Sequence, residues 1–518
     1  MRTARTMTWL TALTMAGAIA VEVETAPPDD AKRVTPAAWL RLQPRPTPRA
    51  GHTLPPLTRY GWVLPLDARI ELTENWGYAL EFGGYVGADV EGRLADPNSD
   101  ESKLVALAAA DPKRYPLVVI CSRDLPAGDS VPPATWAHDT AGNLLDGQAK
   151  SMDGTEWHEG MQAVYSPDAP DAVWEEAGRL RADPIRRVRE RCPIAIVLNG
   201  GEYGLGVLGF AQKAWEQDPA IQAARGEMPW YDYISARKAR AEMLIADAVR
   251  TVTRDRLLYI YYPTTGGAHR NRSADWRQWM YGYEWMKPVS DLASSEHYHR
   301  HFNSGWTGDD DILTQALNAR GFEIANGQPL CYDWLCAGWP RETGLGSGAA
   351  DLYEDRGLGD LQRYEGFLSC MYVAGMVGGN AGYYAYPEGG FAAEFPADEP
   401  PHWLQQMVVF ARVHARFSHL EMFIRQGDLL PGPAMQRWSK DQPAYEFPTG
   451  KAGVRVLARK LKTDARWLIV AWAADGDTQD VTVDIPALGS MTLQARPQGA
   501  LFGARSQDGK PLLEGIDP

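Results

Sequence analysis

Among the carboxylates of this chain, Glu202 has the setting best suited to moving a proton. It ends the run Pro193-Ile194-Ala195-Ile196-Val197-Leu198-Asn199-Gly200-Gly201-Glu202-Tyr203-Gly204, an apolar strand pattern whose glycine pair lets the backbone turn sharply and expose the acid. The plainer reading is a loop carboxylate that caps a helix or pairs with an arginine. Acid–base work at a sugar acetal needs a second carboxylate, about 5–5.5 Å away for retention of configuration or about 6.5–9.5 Å for inversion. Two residues compete for that place. Glu296 follows Asp291-Leu292-Ala293-Ser294-Ser295, a small-residue approach that leaves an acid open, and Asp333 closes Pro329-Leu330-Cys331-Tyr332 just before Trp334. Residue type favours Glu296.

The segment around Glu202 resembles the fourth-strand motif of glycoside hydrolase clan A, and in particular that of the family-35 β-galactosidases, in Glu202-Tyr203-Gly204. Gly201 stands where that family has Asn, with Asn199 three residues before the Glu. The resemblance covers about a dozen residues. It implies a (β/α)8 barrel, Glu202 as general acid/base, a nucleophile on the seventh strand, and Asn199 as the candidate for the contact to the sugar 2-hydroxyl. Asp333 ends the seventh strand read from the sequence, and Trp334, Gly338 and Trp339 echo the aromatic-Gly-Trp stretch after the family's nucleophile. Glu296 ends the sixth, or the seventh if one strand has been missed.

Beyond Glu296 the chain continues His297-Tyr298-His299-Arg300-His301. In an extended segment the three histidines share one side and Glu296, Tyr298 and Arg300 the other. His297 and Tyr298 are read as substrate hydrogen-bonding groups. The rival is a zinc site, since His-x-His is a zinc-binding spacing in barrel hydrolases; there the pair sits on the first strand, and here it comes late. Aromatic rings suited to the C–H faces of sugars are Trp76, Tyr262, Trp306 and Trp334, whereas Trp276 and Trp279, at helical spacing, read as core.

These groups need a frame. From Gly61 to Ile424 short apolar runs alternate with helical patterns, the signature of parallel βα units. The expected strands are Trp76–Tyr85, Leu117–Ser122, Met161–Tyr165, Ile194–Asn199, Leu257–Tyr262, Asp291–Glu296, Leu330–Trp334 and Ala381–Tyr386. Apolar helical stripes run through Leu244, Ile245, Ala248, Val249 and Val252, and through Trp403, Leu404, Met407, Val408 and Ala411. The expected architecture is therefore a (β/α)8 TIM barrel over 61–426 followed by a small all-β sandwich over 427–518, where short β-prone runs and Gly/Asp turns take over. A doubly wound open sheet is the competing fold; no Gly-rich phosphate fingerprint follows the first strand. The segment 21–60, with eight prolines between Pro27 and Pro56, reads as an irregular tether.

Residues 1–20 read as a signal peptide: Arg2 and Arg5, an apolar stretch from Met7, and Ala18-Ile19-Ala20 as the cleavage pattern, so the mature chain is expected in the periplasm or outside the cell. The chain has 518 residues, 45% hydrophobic and 23% charged, which fits a globular protein. Its net charge of −14 argues against nucleic acid and anionic membranes as partners, and no later segment reads as a membrane span. Of the five cysteines, Cys331 and Cys336 are close enough in sequence to consider as a pair. The expectation is a secreted glycoside hydrolase with a carbohydrate substrate, a carboxylate pair working with retention, and neither cofactor nor metal. The alternative is a non-catalytic polysaccharide-binding protein on a degraded glycosidase barrel, for which the missing Asn before Glu202 argues; a metal-dependent hydrolase comes third.

Overall fold

The structure, a computed structural model, describes residues 32–47, 54–59, 64–126, 131–145, 164–200, 215–252, 257–262, 285, 287–292, 294, 296–298, 331–336, 369–370, 372–377, 380–385, 393–431, 446–473, 477–508 and 510–516. In chain order its elements begin with β1 (Arg33–Val34), α1 (Pro36–Leu42), β2 (Thr58–Arg59), α2 (Leu66–Asn75), β3 (Leu80–Val86), α3 (Val90–Ala95), α4 (Asp100–Ala110) and β4 (Leu117–Cys121). Next come α5 (Asp171–Arg189), β5 (Ile196–Gly200), α6 (Pro219–Arg225), α7 (Trp230–Arg250), β6 (Leu258–Tyr262), β7 (Glu296–Tyr298), β8 (Cys331–Cys336), β9 (Asn380–Ala385) and β10 (Phe395–Pro396). After α8 (His402–Phe417) and α9 (Glu421–Gln426) only strands follow: β11 (Gly427–Leu429), β12 (Arg455–Leu461), β13 (Arg466–Trp472), β14 (Gln479–Ile485), β15 (Gly489–Ala495), β16 (Ala500–Gln507) and β17 (Lys510–Ile516).

Strands β2 to β9 form two parallel four-stranded sheets, ordered β3-β4-β5-β6 and β2-β9-β8-β7. A parallel bridge between Leu57 and Tyr78 links β2 to β3, with Ala79 N donating to the Leu57 carbonyl at 2.8 Å. Between β6 and β7 a side chain does the pairing. Asp291 donates its N–H to Tyr259 O (2.8 Å) and accepts from Tyr259 N through Oδ2 (2.7 Å), while Ser290 Oγ accepts from Tyr261 N (2.9 Å). The two sheets share one apolar core, in which Ala79, Val118, Ile120, Ile196, Leu198 and Ile260 meet Tyr332 of the other sheet. The opposite faces of β3 to β6, through Phe82, Val119, Val197 and Tyr259, pack under the helices.

Two differences from the sequence-based strand order cancel. The expected third strand is not a member of either parallel sheet: Tyr165 makes only an antiparallel bridge to Trp136, and residues 161–163 lie outside the described set. In its place β2, inside the segment read as a tether, is the first parallel strand and pairs with β9. That segment also holds α1, which starts because Thr35 Oγ1 accepts from Ala38 N (3.2 Å) and Pro36 fits the first helical position. Thus β5 keeps its fourth place, β7 its sixth and β8 its seventh. Cys331 and Cys336 are the two ends of the extended strand β8. Five residue steps at about 3.3 Å separate their Cα atoms by roughly 16 Å, far beyond the ~7 Å that a disulfide spans, so they do not pair with each other.

Of the stripe read from the sequence, helix α7 buries Ile245 and Val249 completely and Leu244 and Ala248 in part, with Ala246 buried beside them. It crosses α5 at Gly178, where a Cβ would stand 2.7 Å from Ala248 Cβ and 3.1 Å from Leu244 O. Only glycine permits that approach.

From β11 onward the pairing is antiparallel. A five-stranded sheet, β11-β12-β13-β16-β17, and the hairpin β14-β15 enclose a core of Val456, Trp467, Ile469, Val481, Val483, Ile485 and Leu493. Arg459 of β12, fully buried, reaches out of this unit. Its guanidinium donates to the carbonyls of Phe423 (2.7 Å), Ile424 (3.0 Å), Gly427 (2.8 Å) and Val377 (3.3 Å). These carbonyls lie at or near the C-terminal ends of α9 and of helical residues 372–377, where the helix dipole favours a cation. Truncating Arg459→Ala leaves buried carbonyls without donors, at about 1–3 kcal/mol each. The variant should unfold at clearly lower urea concentration than the wild type, with Arg459→Lys between them; an unchanged midpoint for Arg459→Ala would show that this cation does not join the two parts.

Candidate functional site

Glu296 opens β7 rather than ending its strand, and Asp333 and Trp334 lie in the middle of β8. β5 stops at Gly200, two residues before Glu202, and Gly200 pairs with Tyr262, the last residue of β6. In the other sheet Glu296 pairs with Trp334, and Trp334 with Tyr384, which itself pairs with Thr58. One register line thus crosses β7, β8, β9 and β2 through Glu296 and Trp334. Asp333 stands one residue earlier on β8, beside Tyr383, while His297 and Tyr298 follow on β7 beside Leu335 and Cys336. Glu202 and Trp306 lie outside the described residues. Tyr262, Glu296, His297, Tyr298, Asp333 and Trp334 are placed by backbone and strand register, and their side chains lie outside the described set.

Two expected sugar contacts have other surroundings. Trp76 caps the C-terminus of α2 before β3 begins, 1% exposed among Leu72, Tyr78, Phe410 and other core residues. It is a packing residue at the opposite end of the sheet from Gly200. Asn199 is 3% exposed. Because Ile196 and Leu198 face the shared interior, the pleat sends Asn199 the other way, into the helical layer.

There Asn199 is the centre of a buried polar group. Its Oδ1 accepts from Arg181 Nη1 (3.2 Å), and its Nδ2 donates to Glu242 Oε2 (3.2 Å) and to the Tyr259 hydroxyl (2.8 Å). Lys238 Nζ donates to Glu242 Oε1 (2.9 Å), and Arg181 Nη1 lies 3.9 Å from the same carboxylate. Two cations therefore share one acid with no exposure to water. Burial, only partly offset by Glu242 and reinforced by Arg181, pulls the Lys238 ammonium down to about 8. Burial likewise pushes the Cys121 thiol up to about 12 and raises the Tyr259 hydroxyl well above its ordinary value. The sequence carried a trace of this group, Lys238 and Glu242 four residues apart on a helix whose neighbours at that level are apolar.

A group of polar and aromatic side chains sits at the ends of β3 and β4. β3 bulges between Glu81 and Tyr85 relative to β4, through Gly83 (φ +89°) and Gly84 (φ +62°), backbone angles that side-chain-bearing residues rarely adopt. Arg93 holds the bulge by donating to Gly83 O (2.5 Å) and Tyr85 O (2.9 Å). The Tyr85 ring then carries the Arg123 guanidinium, 4.3 Å from its centroid. Glu81 sits at the other end of β3, buried beside Val118.

No family model and no curated protein matches the sequence. Solved structures that align with it include a noncanonic maltogenic alpha-amylase AmyB from Thermotoga neapolitana, at 11% identity over 91% of this chain and 88% of that one, TM-score 0.37. Another is a debranching enzyme from Nostoc punctiforme, at 10% identity, 88% of this chain and 99% of that one, TM-score 0.41. A third is the GH36 alpha-galactosidase AgaA from Geobacillus stearothermophilus, at 11% identity over 93% of this chain and 58% of that one, TM-score 0.39. The activities in these names are those of the neighbours. Among the described residues no helix is long and apolar enough to cross a membrane.

The buried lysine makes a signed prediction. A base whose folded pKa is depressed binds fewer protons folded than unfolded between about 8 and its ordinary 10.5, so stability rises with pH across that window and is level below it. Measured against Lys238→Met, the wild-type unfolding free energy should climb from pH 8 toward 10 and stay parallel at pH 6–7.5. Parallel curves throughout would mean that the ammonium is not desolvated.

Proposed function

We propose that this protein is a secreted glycoside hydrolase whose two parallel sheets close into one (β/α)8 barrel, followed by a β-sandwich, and that it cleaves O-glycosidic bonds of a poly- or oligosaccharide with a carboxylate pair. Glu202 protonates the leaving oxygen and then activates water; Glu296 attacks the anomeric carbon, with retention. The reading is supported by where the backbone carries the chain toward its acids. Glu296 is in register with Trp334 on adjoining parallel strands, and the chain leaves β5 two residues before Glu202, the end at which α/β folds of this kind assemble ligand sites. One observation supports the rival nucleophile. β8, which carries Asp333, is the seventh parallel strand, the strand on which the resembled clan has its nucleophile.

Glu202→Gln keeps size and some hydrogen bonding but loses the titrating proton, so turnover of an unactivated glycan should drop by ~10²–10⁴-fold. Aryl glycosides with good leaving groups should be spared in their first step. Glu296→Ala should lose activity and regain part of it with azide, giving a product of inverted configuration, whereas Asp333→Ala should not be rescued. Rescue at Asp333 instead would transfer the nucleophile to β8. Glycan binding by the wild type with no sugar released from any polysaccharide would leave the non-catalytic binding protein standing.

A further inference from the structure

We propose that β17 is the strand through which two copies of this chain pair, edge to edge and antiparallel, across a two-fold axis. β11 and β17 are the outer strands of the five-stranded sheet. Gly427 and Leu429 of β11 are buried, whereas five of the seven residues of β17 are exposed, Leu512 at 41% and Leu513 at 38% among them. An exposed edge that carries two leucines is a template for another strand. The hairpin decides which backbone groups it offers. Gln507 pairs with Lys510 across a two-residue connection in which Asp508 has φ +53°. The closing bond of such a turn runs from Lys510 N to Gln507 O, so Lys510, Leu512 and Glu514 turn their backbone groups toward β16. Pro511, Leu513 and Gly515 turn theirs outward. The N–H that Pro511 lacks therefore falls on the open side, where the pairing with β16 does not need it.

This edge is complementary to itself. With Leu512 opposite Leu512 of the second copy, Lys510 faces Glu514 and Pro511 faces Leu513, and the two-fold axis repeats both pairs. Lys510, Leu512 and Glu514 share one face of the strand, and in this register they form the non-hydrogen-bonded pairs, whose side chains stand closest. Leu513 N donates to Pro511 O of the second copy, once from each side. Sliding one strand by two residues sets a charge opposite Leu512; sliding it by four sets Glu514 opposite Glu514 or Lys510 opposite Lys510. Opposite charges across a strand pair attract and like charges repel, so charge selects the first register. Among the described residues, neither Lys510 nor Glu514 has an ion pair or side-chain hydrogen bond within its own chain, which leaves both for the second copy. Lysine and proline guard an edge against indiscriminate pairing. Here they admit a strand that brings an acid and a leucine to the matching positions, and β17 of another copy does.

One strand pair is a small interface of the weak class, so in analytical ultracentrifugation the mass of the full chain should rise from 57.3 kDa toward twice that between about 1 and about 200 µM. Glu514→Lys and Lys510→Glu each set like charges opposite one another at two places and should weaken dimerisation by ~10-fold. Mixed in equal amounts, the two variants should associate as strongly as the wild type, because each supplies the other's complement. Both side chains are exposed, so at low concentration the variants should melt with the wild type. Cysteines read the register. Under mild oxidation Leu512→Cys should give a disulfide-linked dimer, since Cα atoms of a non-hydrogen-bonded pair lie about 4.5 Å apart. Leu513→Cys should not, because its two-fold mate lies two residues beyond the opposite position, outside the ~7 Å that a disulfide spans. A monomer at every concentration would overturn the proposal and leave the edge to a strand of another protein. A dimer indifferent to both charge reversals would overturn it too, as would a mixture no stronger than its components or cross-linking at Leu513→Cys in preference to Leu512→Cys. None of these readouts depends on glycan turnover.

Discussion

The order of this molecule around β5 depends on one buried amide. Asn199 spends its acceptor on Arg181 of α5 and both its donors on Glu242 of α7 and Tyr259 of β6, so three elements are fixed against the strand that leads to Glu202. None of these groups has water as an alternative partner. In such surroundings a half-made network is worse than an apolar core, which makes the arrangement all-or-none. Arg181 also donates to Asp124 O (3.5 Å), carrying the same constraint to the loop after β4. A change at Asn199 would therefore move β5, and a loss of function there would not by itself place the residue beside a ligand.

Around that centre the structure divides its polar and apolar surfaces by strand parity. On β4, Val118 and Ile120 look inward while Leu117, Val119 and Cys121 pack beneath the helices. Both faces are apolar, as expected of parallel strands covered on both sides. The polar groups that lock helices to strands lie in the middle of the helical layer.

This parity explains which parts could be read from the sequence. The apolar runs of β4, β5 and β6 were legible because nothing else produces five to six consecutive aliphatic and aromatic residues between turn signals. The direction of Asn199 was not, since a strand apolar on both faces gives no sign of which alternate set looks inward. β2 has only two residues, after the prolines Pro55 and Pro56, and its partner β9 lies more than three hundred residues away, so local pattern had nothing to report. Met161–Tyr165 has strand-forming residues, yet Tyr165 is drawn into an antiparallel bridge with Trp136.

The pairings of β1 with β10 and of β2 with β9 join residues 33 and 34 to 395 and 396, and residues 58 and 59 to 384 and 385. A chain made from its N-terminus onward therefore exposes the first strand of the set long before its neighbour exists. Contacts of such sequence separation form late and slowly, after the loop entropy of the intervening segment has been overcome. Until β9 emerges, β2 presents an open edge on a partly assembled sheet, the kind of surface on which chains aggregate or which a holding chaperone covers. The seam at Thr58 and Tyr384 thus governs when, during its own synthesis, this molecule can become complete.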